Sequence, residues 1–438
     1  MNVTNQHQEY IEMYSEWTKA TDFAHSEKRV HDKGEVYFPR LSGQEDDEYK
    51  SYVGRASLTM FEKKIRDTYR GMATRKPVDI ENDEQLADYL TKVTPTDDSF
   101  DSYIFNMLGE YFLTGRCGTL VDLPLGYTDA NPYLVLYNAT SIINWNTDDY
   151  GILTMVVLRE ITEIDDGDQF NTSTEFRYRV LDLVDGAYRQ RLFNSSGVQL
   201  NEDIFPQMNG KSLNYIPFTI HGGVKVKPPF LTEVLDLNLH HYQLSGDLGH
   251  GLHWVALPSP VLTGVPKEDV PNHIGSARFI VLEDSDAKAF FLEFEGKGLD
   301  EITGRMRVIE ETISVMAINM IMNDNAKTAT QANIDSSSTT ASLAGVINKL
   351  SDEFTIVLTT VSDWMGKTVG NVSINTDFVS AKLDANNFNA LVNAYIKGTI
   401  SYSTFWKNLQ HGEIASNNKT ADEEQSEIET TDPIGMVE

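Results

Sequence analysis

Apolar and polar residues alternate along this chain with a helical period in some stretches and a strand-like texture in others. Residues 231–254, 299–322 and 343–366 each carry apolar side chains three and four positions apart, which predicts three long helices. A shorter stretch, 98–115, shows the same spacing and predicts a fourth helix. These helices are apolar enough to need partners along one face.

The N-terminal and C-terminal parts of the chain are more polar. We predict a short helix and a loose arm over 1–34, and one long helix over 42–77 that ends at Pro77. Acidic residues in the first turn of that long helix and basic residues toward its end suit the helix dipole. Residues 383–414 predict two helices joined at Gly398–Ser401, and the acidic tail that follows is predicted to be solvated or ordered only by a partner.

Between about 116 and 220 the pattern changes to short runs rich in Val, Ile, Tyr and Thr, separated by Gly, Asp and Asn. These runs predict strands of one sheet packed against the preceding helices. A second β-forming stretch, 255–296, is broken by several prolines and lies between two of the long helices. The element order therefore predicts an α+β fold.

One segment between two apolar helices has too few apolar residues to be packed in a hydrophobic core. Residues 322–342, MNDNAKTATQANIDSSSTTAS, consist mainly of Ser, Thr, Ala and Asn, yet they connect two strongly apolar helices far from either terminus. Such a composition has little to bury. A functional reason for a polar connection at this place has to come from the rest of the chain.

Composition limits the classes of function. The formal net charge is −29, which argues against a protein that grips nucleic acid through a basic surface. An acidic surface repels the phosphates of DNA, so DNA could still move past such a surface without binding to it. Cys117 is the only cysteine, so no disulfide within the chain and no thiolate metal cluster is expected. Neither a signal peptide nor a membrane-spanning run is expected.

The candidate chemistry is sparse. The chain has no P-loop, no G-x-G-x-x-G and no G-x-S-x-G motif. His250 and His253 lie one helical turn apart and could share a metal ion, but no carboxylates or thiols stand beside them at ligand spacing, so capping or surface roles are favoured. Arg305 and Arg307 are interpreted as ion-pair partners, not as a phosphate clamp. We therefore predict no enzymatic activity, no cofactor and no metal.

Several sequence segments, in this order, resemble the portal proteins of tailed bacteriophages. They cover most of the chain: YFPRLSGQEDDEYKSYVGRA near the start, YLVLYNATSIINW at 133–145, LTMVVLRE at 153–160, LDLNLHHYQLSGDLGHGLHWVALPSPVLTG at 235–264, AKAFFLEFEGKGL at 287–299 and NTDF at 375–378. The order of predicted elements is similar as well. No single segment would establish the resemblance.

The resemblance implies a portal fold with an α/β wing, a two-helix stem, a small β-containing clip, a long wing helix and a helical crown. The implied boundaries are wing 1–230, first stem helix 231–254, clip 255–296, second stem helix 297–322, tunnel loop 323–340, long wing helix and its return 341–380, and crown with acidic tail 381–438.

The resemblance also implies a function. Portal subunits form a ring, usually of twelve, at the unique capsid vertex of a virion that assembles in the host cytoplasm, and double-stranded DNA passes through the channel without sequence-specific contacts during packaging and ejection. The implied partners are the major capsid protein, the scaffold, the large subunit of terminase and the head–tail adaptor, and no membrane.

The resemblance implies two sets of site residues. The tunnel loop would line the DNA channel with Asn323, Asp324, Lys327, Thr328, Gln331, Asp335 and Ser336. The clip would dock partner proteins through Lys267, Phe279 and Phe291. Two alternatives stay open: another head–neck structural protein such as an adaptor or scaffold, and a metal-dependent hydrolase that uses His250 and His253. Adaptors are shorter and scaffolds are mostly helical, which counts against the first alternative.

Overall fold

A computed structural model gives the fold of this chain. It describes residues 2–124, 130–165, 172–256, 259–263, 286, 288–292, 296–321, 341–378, 385–411, 414–415 and 419–430. The chain divides into two compact units, Met1–Ile374 and Asn375–Glu438.

The helices of the first unit are α1 Gln8–His25, α2 Glu27–Asp32, α3 Asp46–Val53, α4 Phe61–Ala73, α5 Ala87–Leu90, α6 Phe100–Thr114, α7 Thr232–Ala256, α8 Lys297–Ile321 and α9 Ala341–Trp364. The predicted helices over 98–115, 231–254, 299–322 and 343–366 are confirmed as α6, α7, α8 and α9. Their apolar period was strong enough to locate them within a few residues.

The strands are β1 Asp79–Ile80, β2 Cys117–Asp122, β3 Tyr133–Asn138, β4 Ile142–Thr147, β5 Leu153–Asp165, β6 Thr172–Val184, β7 Ala187–Asn194, β8 Gln207–Met208, β9 Lys211–Ser212, β10 Phe218–His221, β11 Ser259–Thr263, β12 Lys288–Leu292 and β13 Val372–Ser373. All pairings among them are antiparallel. Helix and sheet are thus mixed as expected for an α+β chain.

The prediction of one sheet is wrong. Among the described residues, two separate larger sheets form, β10-β2-β3 and β4-β5-β6-β7, with three two-stranded ladders besides. All six residues of β2 are buried, because helices and the second sheet cover this strand. In contrast, β5 and β6 are long and only partly covered. Similar runs of Val, Ile and Tyr therefore serve two different layers, which their composition does not reveal.

The prediction of a loose N-terminal arm is also wrong. Helices α1 and α2 occupy this region, and Tyr10, Trp17 and Phe23 on α1 are buried. The Trp17 indole donates a hydrogen bond to the carbonyl of Thr114, at the end of α6, over 2.9 Å. A few widely spaced aromatic residues are enough to bury a helix whose other positions are polar.

The long helix predicted over 42–77 is interrupted. Helix α3 ends at Val53, α4 begins at Phe61, and α7 binds the link between them. The side chain of Asn238 accepts a hydrogen bond from the Phe61 backbone N–H (3.1 Å) and donates one to the Thr59 carbonyl (2.7 Å). These bonds replace the intrahelical bonds that a continuous helix would have made, so tertiary contacts decide the break.

The core of the first unit forms around the N-terminal half of α7. Tyr242 is fully buried among aromatic rings, with Phe23, Phe38 and His31 all within ring-contact distance. Gly246 allows the close approach of Phe38, because a Cβ at this position would lie 2.3 Å from the Phe38 ring. This packing orders α1, α3 and α7 as one layer.

The second unit is helical in the part that the structure describes, with α10 Ala385–Ile396, α11 Tyr402–His411 and α12 Ala421–Thr430. The predicted helix pair is confirmed: it turns at Gly398, whose φ of +68° suits glycine. Residues 421–430 of the acidic tail, which was expected to be solvated or ordered only by a partner, form α12, and Lys419 just before this helix lies 2.6 Å from Glu427 and 3.5 Å from Glu424.

Candidate functional site: the α7–α8 hairpin and its flanking segments

Helices α7 and α8 pack against each other and are joined by the segment that contains β11 and β12. Gly251 permits close contact, since a Cβ there would lie 2.4 Å from the Leu299 side chain. Farther along the pair, the His241 Nε2 lies 3.0 Å from the Glu310 carboxylate. His241 is buried and Glu310 is half-exposed, so this hydrogen bond lies at the edge of the helix interface.

The rest of α8 is attached through α4. The Tyr69 hydroxyl donates a hydrogen bond to the Ala317 carbonyl over 2.8 Å, one turn before α8 ends at Ile321. Ile309 and Ile313 are buried on the face toward the chain's core. Helix α8 is therefore anchored on one face only, and its end is held at the point where the polar segment 322–340 begins.

The hairpin exposes large apolar side chains on both helices. On α7, Leu252 is 50% exposed and Trp254 is 53% exposed. On α8, Val308 and Val315 are 46% and 52% exposed, and their seven-residue spacing places them on one face. Val308 and Val315 thus form an exposed apolar pair on one face of α8, and grouped exposed apolar side chains mark an interaction surface more often than scattered single ones do. The described part of the chain leaves this face uncovered.

Of the two histidines that suggested a metal site, His250 has another contact. The Trp254 indole N–H lies 3.1 Å from His250 Nε2, to which it donates. Burial lowers the pKa of His250, and the nearby charges of Arg55 and His253 lower it further. Within the described ranges, no three His, Cys, Asp or Glu side chains are grouped as a metal ion requires. His250 is thus an acceptor for an aromatic neighbour.

A buried hydrogen-bond chain, which the sequence did not reveal, joins β2, β10 and α9. The Tyr103 hydroxyl donates to Thr119 Oγ1 (2.8 Å), Thr119 Oγ1 lies 2.7 Å from His221 Nε2, and His221 Nδ1 lies 3.1 Å from the Glu353 carboxylate. A hydroxyl, an imidazole and a carboxylate in this order also occur in nucleophilic catalysis.

We assign this hydrogen-bond chain a structural role because its residues are buried. Thr119 and His221 have no exposed surface, and the His221 ring stacks on Phe354 at 4.7 Å between centroids. A substrate has no access to the hydroxyl, so the bonds fasten α9 to the three-stranded sheet. No sequence signal could have found the group, because its members come from four separate elements.

Most residues of the two predicted sites lie outside the described part of the chain. This applies to the tunnel-loop set, which is Asn323, Asp324, Lys327, Thr328, Gln331, Asp335 and Ser336, and to Lys267 and Phe279 of the clip. Phe291 lies in β12, where it pairs with Pro260 of β11. Within the predicted β-forming stretch 255–296, the described residues form the β11–β12 ladder, and the assignment of this stretch as a clip stays a prediction.

Among the described helices, none is long and apolar enough to cross a membrane. The exposed apolar side chains of α7 and α8 alternate with charged ones such as Arg307 and Glu311, so the hairpin suits a protein–protein contact better than a lipid one.

Comparisons with known proteins show which chains this one is similar to. A family model described as a domain of unknown function (DUF4055) matches residues 230–365, which run from the start of α7 to the end of α9. This is less than half of the chain. No curated protein matches the chain.

Solved structures give broader matches at low identity. The chain is similar to a chain in the virion of a native gene transfer agent (GTA) particle, with 12% identity, a TM-score of 0.43, and coverage of 87% of this chain and 98% of that one. It is also similar to a chain in the neck of the empty GTA particle computed with C6 symmetry (13% identity, TM-score 0.40, coverage 87% and 97%). A third match is a chain in the neck of the native GTA particle computed with C12 symmetry. Its sequence identity is 13%, its TM-score is 0.39, and the match covers 82% of this chain and 90% of that one. All three TM-scores lie below 0.5.

Proposed function

We propose that this chain is a portal protein, a non-enzymatic virion component that forms a ring-shaped DNA channel at one vertex of a capsid. The observation that carries the proposal is the α7–α8 hairpin. It leaves large apolar side chains exposed on each of its two helices, and the polar segment 322–340 follows α8 directly in the sequence.

Ring closure explains the uncovered apolar face. Helix α8 buries one face on its own chain and exposes Val308 and Val315 on another. A neighbouring copy that covers this face would itself expose the same face to the next copy. Such a head-to-tail contact leaves no open end when the ring closes, whereas a two-fold dimer would use one patch twice.

The same arrangement explains the polar segment. In the proposed ring, residues 323–340 project into the channel as tunnel loops that touch passing double-stranded DNA. Small polar side chains tolerate water and hold no particular base sequence, and Asp324 and Asp335 repel phosphate. Lys327 is the only cation of the segment. Each hydrated lysine–phosphate contact would contribute roughly 1 kcal/mol or less, which permits sliding.

The net charge of −29 supports a channel that DNA passes through without binding. The clip would then lie at the far end of the stem, with Lys267, Phe279 and Phe291 in contact with the large subunit of terminase during packaging and with the head–tail adaptor afterwards. The wing would face the major capsid protein and the scaffold during assembly in the host cytoplasm.

The first experiment measures assembly of the purified chain. One chain has a mass of 49.3 kDa, and we expect light scattering to give a mass several times larger and negative-stain images to show rings with a central hole. A monodisperse 49.3 kDa species under all conditions would rule out the proposal.

A variant tests whether the hairpin face makes the ring. Leu252→Asp combined with Val315→Asp introduces charge into the exposed apolar face, and we expect monomers with unchanged helix content. Val198→Asp is the matched control, because Val198 is also an exposed apolar residue but lies outside the hairpin. If the native chain, the Leu252→Asp/Val315→Asp variant and the Val198→Asp control all formed rings equally well, the subunit contact would lie elsewhere.

A deletion tests the tunnel loop. Removing residues 327–338 should leave ring assembly intact while the amount of packaged or retained DNA falls, because the channel loses the loops that contact DNA. Full-length packaging by the deletion variant would refute the role assigned to this segment.

A further inference from the structure

A cleft lies where the end of α6, the link between β10 and α7, and the first turns of α9 meet. Tyr111 of α6 lines it on one side, Lys227 and Phe230 of the link on a second, and Val346 and Lys349 of α9 on a third. Its volume of about 330 Å³ falls within the range of small-molecule sites, about 300–1,000 Å³. The lining residues belong to neither α7 nor α8, so the cleft is separate from the hairpin.

Two glycines hold the walls of the cleft together. Gly115 follows α6 and Gly222 follows β10, and both have a positive φ, +71° and +95°. A Cβ at Gly222 would lie 2.6 Å from the Gly115 carbonyl oxygen, and a Cβ at Gly115 would lie 3.1 Å from the Pro228 carbonyl oxygen. The link therefore packs backbone to backbone on the end of α6, and the backbone fixes the shape of this part of the cleft.

The charge on the lining is one-sided. Two of the lining residues, Lys227 and Lys349, are cations, and none is an acid. The whole chain has 65 acidic and 36 basic residues, so two lysines that face one space with no lining acid run against its composition. Lys227 is exposed and has no carboxylate within ion-pair distance among the described residues. The cleft thus suits an anion.

Glu353 lies behind the lining and offsets part of this charge. The Lys349 Nζ is 3.5 Å from one Glu353 oxygen, which is long for a hydrogen bond. The other Glu353 oxygen lies 3.1 Å from His221 Nδ1 and accepts a hydrogen bond from the Gly222 backbone N–H over 3.3 Å. Glu353 is therefore held against the sheet, and the Lys349 ammonium keeps its N–H donors available to a ligand.

The remaining lining is largely apolar and includes two aromatic rings. The Phe230 ring is fixed by its neighbours, with centroids 6.0 Å from Phe112 and 6.3 Å from Tyr69. Burial raises the pKa of Tyr111 to about 12, and the charge of Glu353 adds to the rise, so the hydroxyl stays protonated at neutral pH and can donate. A ligand that fills the cleft needs a ring-like apolar body as well as a negative group.

We infer that the cleft binds a nucleotide, with its terminal phosphate between Lys227 and Lys349 and its base or sugar against Tyr111 and Phe230. A terminal phosphate carries nearly two negative charges and is matched by two lysine point charges, whereas carboxylates are typically held by the planar fork of an arginine. The nucleotide can be free or can be the unpaired end of a DNA strand, because paired bases inside a duplex cannot enter. This site goes beyond the proposed function and does not depend on ring formation.

Calorimetric titration of the purified full chain tests the site. We expect the four deoxynucleoside monophosphates to bind saturably, one per chain. Deoxyadenosine, which lacks the charge, and inorganic phosphate, which lacks the ring, should each bind at least about ten times more weakly. No saturable binding of any monophosphate would overturn the inference, and so would inorganic phosphate that binds as tightly as the monophosphates.

Charge-removing variants locate the binding. Lys227→Gln and Lys349→Gln should each weaken monophosphate binding about tenfold, as expected for the loss of one hydrogen bond from a charged group. Lys225→Gln is the matched control, because Lys225 is an exposed lysine of the same link that does not line the cleft. Equal weakening by Lys225→Gln would show that general charge attracts the ligand, and would overturn the inference.

A third variant blocks the cleft and leaves both lysines in place. Gly345 of α9 lines the cleft, and a Cβ there would meet no atom within 4 Å. Gly345→Leu should therefore keep the fold, since leucine also favours a helix more than glycine does, and should abolish monophosphate binding. Unchanged binding by a folded Gly345→Leu variant would contradict the inference.

Competition identifies the source of the nucleotide. A short duplex with a phosphate on a single-stranded end should displace the bound monophosphate if DNA ends are the ligand, and the same duplex without that phosphate should not. No displacement by either duplex assigns the cleft to free nucleotides, and the inference stands in both cases. Negative-stain images of the same samples separate it from the proposed function: rings without binding overturn only this inference, and binding by a chain that forms no rings overturns only the proposed function.

Discussion

The two halves of α7 belong to one continuous helix but have opposite surroundings. The half from Thr232 to Gly246 holds every buried residue of the helix, including Asn238, His241 and Tyr242. The half from Asp247 to Ala256 holds none and exposes Leu252 and Trp254. Apolar residues occur in both halves, so composition alone does not explain the difference.

The comparison shows how one helix can serve two purposes. The first half organises the fold of its own chain, because its side chains bind the α3–α4 link and fill the aromatic core. The second half touches α3 through Asp247 and His250, both of which contact Tyr52, and it leaves Leu252 and Trp254 exposed. Substitutions in the first half should therefore change the free energy of unfolding, whereas those in the second should change assembly.

The largest effect is expected for Tyr242→Ala. The substitution would leave a cavity among Phe23, Phe38 and His31, and we expect a loss of about 3–5 kcal/mol in the free energy of unfolding, measured by chemical denaturation. Tyr242→Phe is the control: the hydroxyl has no hydrogen-bond partner among the described residues, so its removal should be nearly neutral. An equal loss from both variants would contradict the packing role.

The next largest effect on the free energy of unfolding is expected for Glu62, which lies beside Asn238 of α7. Burial raises the pKa of Glu62 from 4.5 to about 7, and the positive charge of Arg66 offsets only part of this rise. The folded state therefore holds the Glu62 proton more tightly than the unfolded state does. This stabilisation is fully present below about pH 4.5 and is lost as the pH rises through 7.

Glu62→Gln should thus be more stable than the native chain at pH 8, by on the order of 3 kcal/mol, while the difference should shrink toward pH 5. Denaturation at a series of pH values measures this. Glu311→Gln provides the control, because Glu311 is exposed on α8 and the same substitution there should change little. A difference that did not vary with pH would show that burial of the Glu62 charge is not the cause.

A smaller effect is expected for the hydrogen bond between His241 of α7 and Glu310 of α8. Glu310 is half-exposed, so its attraction to His241 is screened by water, and a double-mutant cycle of His241→Gln and Glu310→Gln should give a coupling energy of about 1 kcal/mol or less. Salt should weaken the coupling. A coupling of several kcal/mol would mean that the pair is buried by a neighbouring copy under the conditions used.

The smallest effect on folding is expected in the exposed half. Leu252→Ser should leave the unfolding free energy of the isolated chain within about 0.5 kcal/mol of the native value, because the side chain is half-exposed before and after. The same substitution should reduce ring formation at low protein concentration. A large loss of monomer stability would show that the second half of α7 supports its own fold after all.

The sequence alone determined the elements whose period is strong and long. It located α6, α7, α8 and α9, the region of short strands from about 116 to 220, and the turn at Gly398, because apolar spacing and glycine conformation are local properties. It also singled out 322–342 as a polar connection, and the portal hypothesis rests on a resemblance of sequence segments and of element order. The structure does not describe that segment, so its role remains a prediction.

Only the tertiary structure decided the rest. The break between α3 and α4 depends on Asn238, nearly two hundred residues away, and the buried bonds of Thr119, His221 and Glu353 join elements that are distant in sequence. The exposure of Ile161 and Phe176 depends on where β4 and β7 stop pairing. These features arise from contacts between remote residues, and a local pattern of polar and apolar positions carries no information about which remote residue a side chain will meet.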